Sequence, residues 1–263
     1  MILTDVLTAC DLNPNYYKFI PIFIKAWKNL FHDINIHIIL ISSNLIDELK
    51  PYSEHIKLFP PLKGISTAFI AQTIRLLYPA VLDKAKGGII ITDMDMVPMG
   101  RKYYTEQIKD FDSTKFICYR PLDCVGENEM VICYNIAHSN VWGDVFNIKT
   151  KNDIVKVLQT IYFNNNDYEN IHGGKGWCLD QLYLYRATQD WNKRTNSLII
   201  LNEKMIEHVK DLTTKTNLYT RISNWNVNEI QILKNVEKNL LVDFHIPKNY
   251  DLDSANQVIN SLI

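Results

Sequence analysis

The chain has 263 residues, 47% hydrophobic and 22% charged, with 28 basic side chains against 29 acidic ones and a formal net charge of −1. This is the composition of a globular α/β protein with a large core, and its balance leaves no electrostatic footprint for nucleic acid and no polybasic block for a membrane surface. Five cysteines at spacings that match no zinc motif, no basic leader in Met1 to Cys10 and no apolar run near the ~20 residues that span a bilayer lead us to expect reduced thiols, a cytoplasmic location and no intrinsic membrane span.

Taken in chain order, Leu3 to Cys10 reads as a strand, and apolar Phe19, Phe23, Trp27 and Leu30 predict one helix from near Asn15, with Pro21 near its first turn. Asn35 to Ser42 and Ile56 to Phe59 are the next strands, the latter closed by Pro60-Pro61. A second long helix is predicted over Ser66 to Leu82, and Gly87-Gly88 lead into the strand Ile89 to Thr92. Alternation of this kind, with near-continuous apolar strands, predicts a mostly parallel central sheet with helices on both faces. Beyond residue 100 the expected elements are strands at Phe116 to Tyr119 and Met130 to Tyr134, a helix over Asp153 to Tyr162, a helix from Leu179 to Thr188 after Gly173-Gly174-Lys175-Gly176, and a last strand at Leu240 to Ile246. No repeat and no long linker divides the chain, so residues 1–263 are expected to form a single domain.

The segment Ile89-Ile90-Ile91-Thr92-Asp93-Met94-Asp95 carries the chemistry. Three isoleucines predict a buried central strand, so both carboxylates fall at its carboxyl end, where open α/β sheets bind ligands. In extended backbone Asp93 and Asp95 point the same way and converge, with Met94 packed behind them. Two carboxylates that close call for a cation between them, and hard oxygen donors suit Mg²⁺ or Mn²⁺ with substrate phosphates completing the shell. The competing reading is a solvated strand end.

The Ile-x-Asp-x-Asp pattern after a βαβ-type half resembles the Asp-x-Asp motif of glycosyltransferases with the GT-A fold, Rossmann-like with a small antiparallel part in the C-terminal half. The stretch Ala71 to Pro79 is similar to the helix before that motif in family 8 enzymes. The resemblance implies a nucleotide-binding half at 1–100, an acceptor-binding half at 101–263, a nucleotide-sugar donor, UDP-linked by expectation, and a glycan or glycoconjugate acceptor. It assigns Asp93, Asp95 and His245 to the metal, and Arg75 and Met94 to the donor side. Thr8, Ala9 and Asp11 would form the nucleotide pocket, although Asn13 or Asn15 would equally serve there as a helix cap. His245 and Lys248 resemble the C-terminal histidine and lysine of family 8, the lysine meeting the diphosphate, and Asn135 resembles an asparagine set against the donor sugar. Ile246-Pro247 stands where that family carries a glycine.

Asp180, followed by Gln181, sits where such enzymes place an acidic element. It would be the catalytic base toward the acceptor hydroxyl in an inverting enzyme, or line the donor sugar together with Gln181 in a retaining one. As a plain helix N-terminal aspartate it would only cap. Trp177 offers a flat surface for a sugar ring, and His138, Trp142 and Asp123 are candidates near the acceptor. Two other functions stay open from the sequence. One is a haloacid-dehalogenase-like phosphatase using Asp93 and Asp95, disfavoured because that motif belongs on a first strand. The other is a non-catalytic nucleotide-sugar-binding module.

Overall fold

Apolar alternation along β1 (Leu3–Asp11) feeds two separate layers of the core. Val6 and Cys10 join one layer and Leu7 and Ala9 the other, as the two-residue period of a strand requires. The computed structural model describes residues 1–82, 84–120, 126–165, 168–169, 173–201, 206–209, 219–222, 240–246, 252, 253, 256 and 260. In chain order the further strands are β2 (Asn35–Ile41), β3 (Ile56–Phe59), β4 (Gly88–Ile91), β5 (Met96–Pro98), β6 (Phe116–Cys118), β7 (Asn135–Ala137) and β8 (Leu198–Ile200). All but β5 form one seven-stranded sheet in the order β3-β2-β1-β4-β7-β6-β8. Strands β1 to β4 are mutually parallel and β8 is parallel to β6, whereas β7 runs against both its neighbours. Ile206–Val209 and Tyr219–Ile222 (β9 and β10) pair in parallel apart from this sheet.

Helices cover both faces. The first layer receives Phe23, Ala26 and Trp27 of α2 (Ile20–Leu30), and a group of buried tyrosines, Tyr103, Tyr104, Tyr119 and Tyr134, packs into it. The second receives Phe69, Ile70 and Ile74 of α3 (Thr67–Leu77), with Trp142 and Phe146 of α5 (Ser139–Phe146), Leu158 of α6 (Lys151–Asn164) and Leu184 of α7 (Leu179–Thr195).

Several expected elements are remade, each for a local reason. The single helix expected from Asn15 is two, a four-residue turn α1 (Pro14–Tyr17) and then α2. Pro21 cannot donate an N–H and its ring would clash with the carbonyl of Tyr17, so the helix restarts with the proline in its first turn. Pro79 ends α3 early in the same way, and Tyr78–Val81 tightens into a 3₁₀ turn. The strand expected at Met130 to Tyr134 is absent, and β7 begins only at Asn135. Here the Asn135 amide donates to the carbonyls of Val131 and Ile132, both at 2.7 Å, which supplies those groups with partners other than a ladder. The last strand contracts to β11 (Asp243–His245), antiparallel to β5 with His245 opposite Met96. A short helix α4 (Arg101–Thr105) and helix α5 had no counterpart among the expected elements.

The four described cysteines, Cys10, Cys118, Cys133 and Cys178, are free thiols. Among the described residues no helix is long and apolar enough to cross a membrane.

Candidate active site

A cleft of about 520 Å³ opens at the carboxyl edge of β1 and β4. The turn after β4, the inner face of α3 and the start of α7 meet in it, with β11 closing one end and the end of β1, the α1 turn and Val131-Ile132 completing the wall.

After Ile91 the chain does not continue as a strand but turns, with the Met96 amide donating to the carbonyl of Asp93 at 3.3 Å. The two aspartates are therefore not carried side by side on extended backbone, as the sequence suggested. Their carboxylates take different partners: Asp93 accepts from Arg75 Nη1, and Asp95 Oδ2 lies 3.1 Å from His245 Nε2. Asp93 is 35% exposed along the cleft and Asp95 only 10%, while Met94 between them is buried. His245 reaches this position because β11 pairs with β5, and because the amide of Ile246 donates to the carbonyl of Asp95 at 2.8 Å.

Arg75 is the hub. Ala68, Ala71 and Arg75 recur at helical spacing on the face of α3 that borders the cleft, and the small alanines leave room beside the guanidinium. Arg75 is buried; its Nη1 holds Asp93, its Nη2 donates to Asp180 Oδ2 at 3.2 Å, and its Nε donates to the carbonyl of Gln72 at 3.2 Å. Burial disfavours its charge, but the two carboxylates outweigh this and hold its pKa above the ordinary value. One rigid fork thus links the turn after β4 to the first turn of α7.

Asp180, 4% exposed, also accepts from the Gln181 amide at 2.9 Å. Burial pushes its carboxyl up to about 6, the Arg75 charge pulling it down and the Asp93 charge pushing it further up. Asp93 goes the other way. Burial would raise it, but Arg75 overrides that, helped by a hydrogen bond from the Cys133 thiol, and its pKa lies below the usual carboxylate value. His245 is held above the ordinary histidine value: burial opposes the imidazolium, and the hydrogen bond and charge of Asp95 outweigh burial.

At the other end, Ala9 and Asp11 border the cleft. Asp11 accepts from the Thr67 hydroxyl at 2.8 Å and the Asn13 amide at 3.0 Å, and Asn13 in turn caps α1 by accepting from the Asn15 amide at 3.0 Å. Thr8, further from the carboxyl end of β1 than Ala9, does not line the cleft; it is fully buried, and among the described residues its hydroxyl has no hydrogen-bond partner. Asn135 likewise lies buried beneath the cleft, shaping the Val131 and Ile132 wall rather than bordering it. Gln181 and Trp177 do border it. Lys248 and Asp123 lie outside the described residues. Trp142 is core, its indole N–H donating to the carbonyl of Ile89 at 3.2 Å, and His138 caps α5 by its backbone.

Gln72 and Tyr16 are cleft residues that escaped the sequence reading. Gln72 was findable, since it lies four residues after Ala68 on the same face of α3. Tyr16 was not: it borders the cleft only because the helix breaks after Tyr17, and burial together with the charges of Asp95 and Asp93 raises its phenol pKa.

The donor chemistry fits a hard divalent cation, with two carboxylates and an imidazole on the walls of one cleft. Asp93 is turned onto Arg75, and Asp95 and His245 onto each other, and among the described residues no three His, Cys, Asp or Glu side chains are gathered as a metal-holding set.

No family model and no curated protein matches the chain. Solved structures do. The galactosyltransferase LgtC, solved in complex with donor and acceptor sugar analogues, superimposes over 98% of this chain and 96% of its own, with a TM-score of 0.50 at 10% identity. The bifunctional glycosyltransferase WbbM matches over 98% of this chain and 50% of its own, with a TM-score of 0.49 at 9% identity. GlyE of Streptococcus pneumoniae TIGR4, a glycosyltransferase, matches over 98% and 63%, with a TM-score of 0.47 at 12% identity. The fold of the chain is thus that of a GT-A type glycosyltransferase, a mostly parallel sheet between helices with a small antiparallel pair.

Proposed function

We propose that this protein is a glycosyltransferase that moves a sugar from a nucleoside diphosphate sugar, UDP-linked, to a hydroxyl of a glycan or glycoconjugate. The observation that carries the reading is the Arg75 bridge from Asp93 to Asp180, set at the carboxyl edge of a sheet shared with a galactosyltransferase over nearly the whole chain. Asp93, Asp95 and His245 would hold Mn²⁺ or Mg²⁺, and the cation, when bound, would offset the negative charge of the departing diphosphate. Ala9 and Asp11 flank the nucleotide, and Arg75 and Gln181 orient the sugar. Lys248 is assigned to the diphosphate by resemblance alone.

Asp180 serves the acceptor. With its pKa raised to about 6 it is ionised at neutral pH yet still a better proton acceptor than an exposed aspartate. The acceptor oxygen bonds to the anomeric carbon as the bond from that carbon to the diphosphate oxygen breaks. The acceptor proton passes to Asp180, and the nucleoside diphosphate leaves with the electron pair.

A screen of nucleotide sugars for slow hydrolysis, run with Mn²⁺ and with a chelator and with Asp95→Ala as control, tests the proposal and names the donor. Hydrolysis or binding of a UDP-sugar that needs the metal is expected. Binding undiminished by the chelator would remove the metal from the mechanism, and no binding of any nucleotide sugar would remove the transferase reading.

A further inference from the structure

A second and larger cavity, of about 870 Å³, lies at the other end of the sheet, where Thr4, Asp5, Asn35 and His37 mark the amino-terminal parts of β1 and β2. It shares no residue with the candidate active site. Asp5, 2% exposed, belongs to its wall, and both of its oxygens are engaged: one accepts from the Thr4 hydroxyl at 2.6 Å and the other lies 2.8 Å from His37 Nε2.

The wall also carries four lysines against one further carboxylate. Lys57, Lys84, Lys86 and Lys151 border the cavity, and among the described residues none of the four forms an ion pair, which leaves Asp33 as the other carboxylate there. Lys151 is held in place by an aromatic face, its ammonium 5.8 Å from the ring centroid of Tyr78, itself a buried wall residue. Like charges gathered around one concavity raise the local potential and draw in a polyvalent anion. Leu58, Val81, Leu82 and Ala85 supply apolar surface between them, so the cavity suits an anion with an organic body.

We propose that this cavity is a second ligand site, separate from the catalytic cleft, that binds an organic phosphate carrying two or more negative charges. The phosphate is either free in solution or the headgroup of an anionic lipid. The proposal does not depend on the glycosyltransferase reading, because no cleft residue takes part.

The test uses the full chain in the presence of a chelator, so that metal-dependent binding in the cleft does not contribute. One arm titrates fructose 1,6-bisphosphate by calorimetry. The other measures co-sedimentation with phosphatidylcholine vesicles with and without phosphatidylglycerol. Saturable binding is expected in one arm, weakened about tenfold or more by the double reversal Lys84→Glu and Lys86→Glu, both exposed, and unchanged in Asp95→Ala. Binding in the first arm alone identifies a soluble ester, and binding to the phosphatidylglycerol vesicles alone a headgroup. Lys57→Gln with Lys151→Gln gives a second, milder variant that should weaken the same binding. The proposal is overturned if neither arm shows binding, if the charge-reversed protein binds as tightly as wild type, or if Asp95→Ala abolishes the binding.

Discussion

The two halves of the molecule meet at one cleft but are built by different physics. From β1 to β4 the chain forms parallel strands, and two of them, β1 and β4, contribute to the cleft simply by ending there: Asp11 at the end of β1, Asp93 and Asp95 just past β4. The second half supplies Asp180 and His245 through single devices. Asp180 is held by the Arg75 fork and His245 by a three-residue strand docked on β5. Apolar periodicity positions the first set of residues, and long-range pairing positions the second. Damage should therefore spread differently from the two halves.

The largest effect is expected in the turn after β4. Asp95→Ala should cut metal-dependent nucleotide-sugar turnover by roughly 10³-fold while circular dichroism stays native, because the carboxylate lies at the cleft wall and not in the sheet. Next comes the docked strand. Phe244 is 3% exposed and joins the first core layer, so Phe244→Ala should lower stability by about 3 kcal/mol in denaturant titration and also loosen His245. If turnover survives that substitution, the placement of His245 by β11 is not required.

Asp180→Asn should lower transfer by about 10²-fold or more while nucleotide binding persists. The pH dependence gives a sharper check. The wild-type rate should rise through pH 6 as Asp180 loses its proton, and the variant's profile should lack that step. Stability carries the same signature with the opposite sense. Between pH 4 and pH 6 folded Asp180 retains a proton that the unfolded chain has released, so its contribution to stability falls as pH rises through that window. The stability of Asp180→Asn relative to wild type should accordingly improve by about 2 kcal/mol from pH 4 to pH 8, and a flat difference would mean that the carboxyl titrates as an exposed one.

The smallest effect distinguishes a wall from a contact. Asn135→Ala removes the donor to two carbonyls under the cleft and should destabilise the protein by about 1–3 kcal/mol. If Asn135 instead meets the sugar directly, the loss will show as a larger drop in kcat than in stability.

Much of this was legible before the fold. The three isoleucines before Asp93 marked a buried strand and hence a carboxyl-end site, and Ala68, Ala71 and Arg75 marked one face of α3. Where the sequence misled, a side chain or a proline had altered the local rule. The alternation along β1 was visible, yet how far the cleft reaches down the strand was not, so Thr8 was grouped with Ala9 and Asp11 although the cleft stops at Ala9. Met130 to Tyr134 is as apolar as a strand, but the amide of Asn135 diverts the carbonyls of Val131 and Ile132. Asp93 and Asp95 were expected on extended backbone, and a turn instead gives them different partners, Arg75 and His245, on the wall of one cleft.

The sequence by itself determined the parallel α/β class and the edge of the sheet at which the acidic pair emerges, because both follow from periods of two and 3.6 residues that local sterics impose. Only the tertiary structure decided that Arg75 would reach Asp180 across 105 residues of chain, and that His245 would meet Asp95 across 150. Those contacts depend on strand order and on the antiparallel register of β11 with β5. Both are settled by burying two apolar layers at once, and no local pattern encodes them.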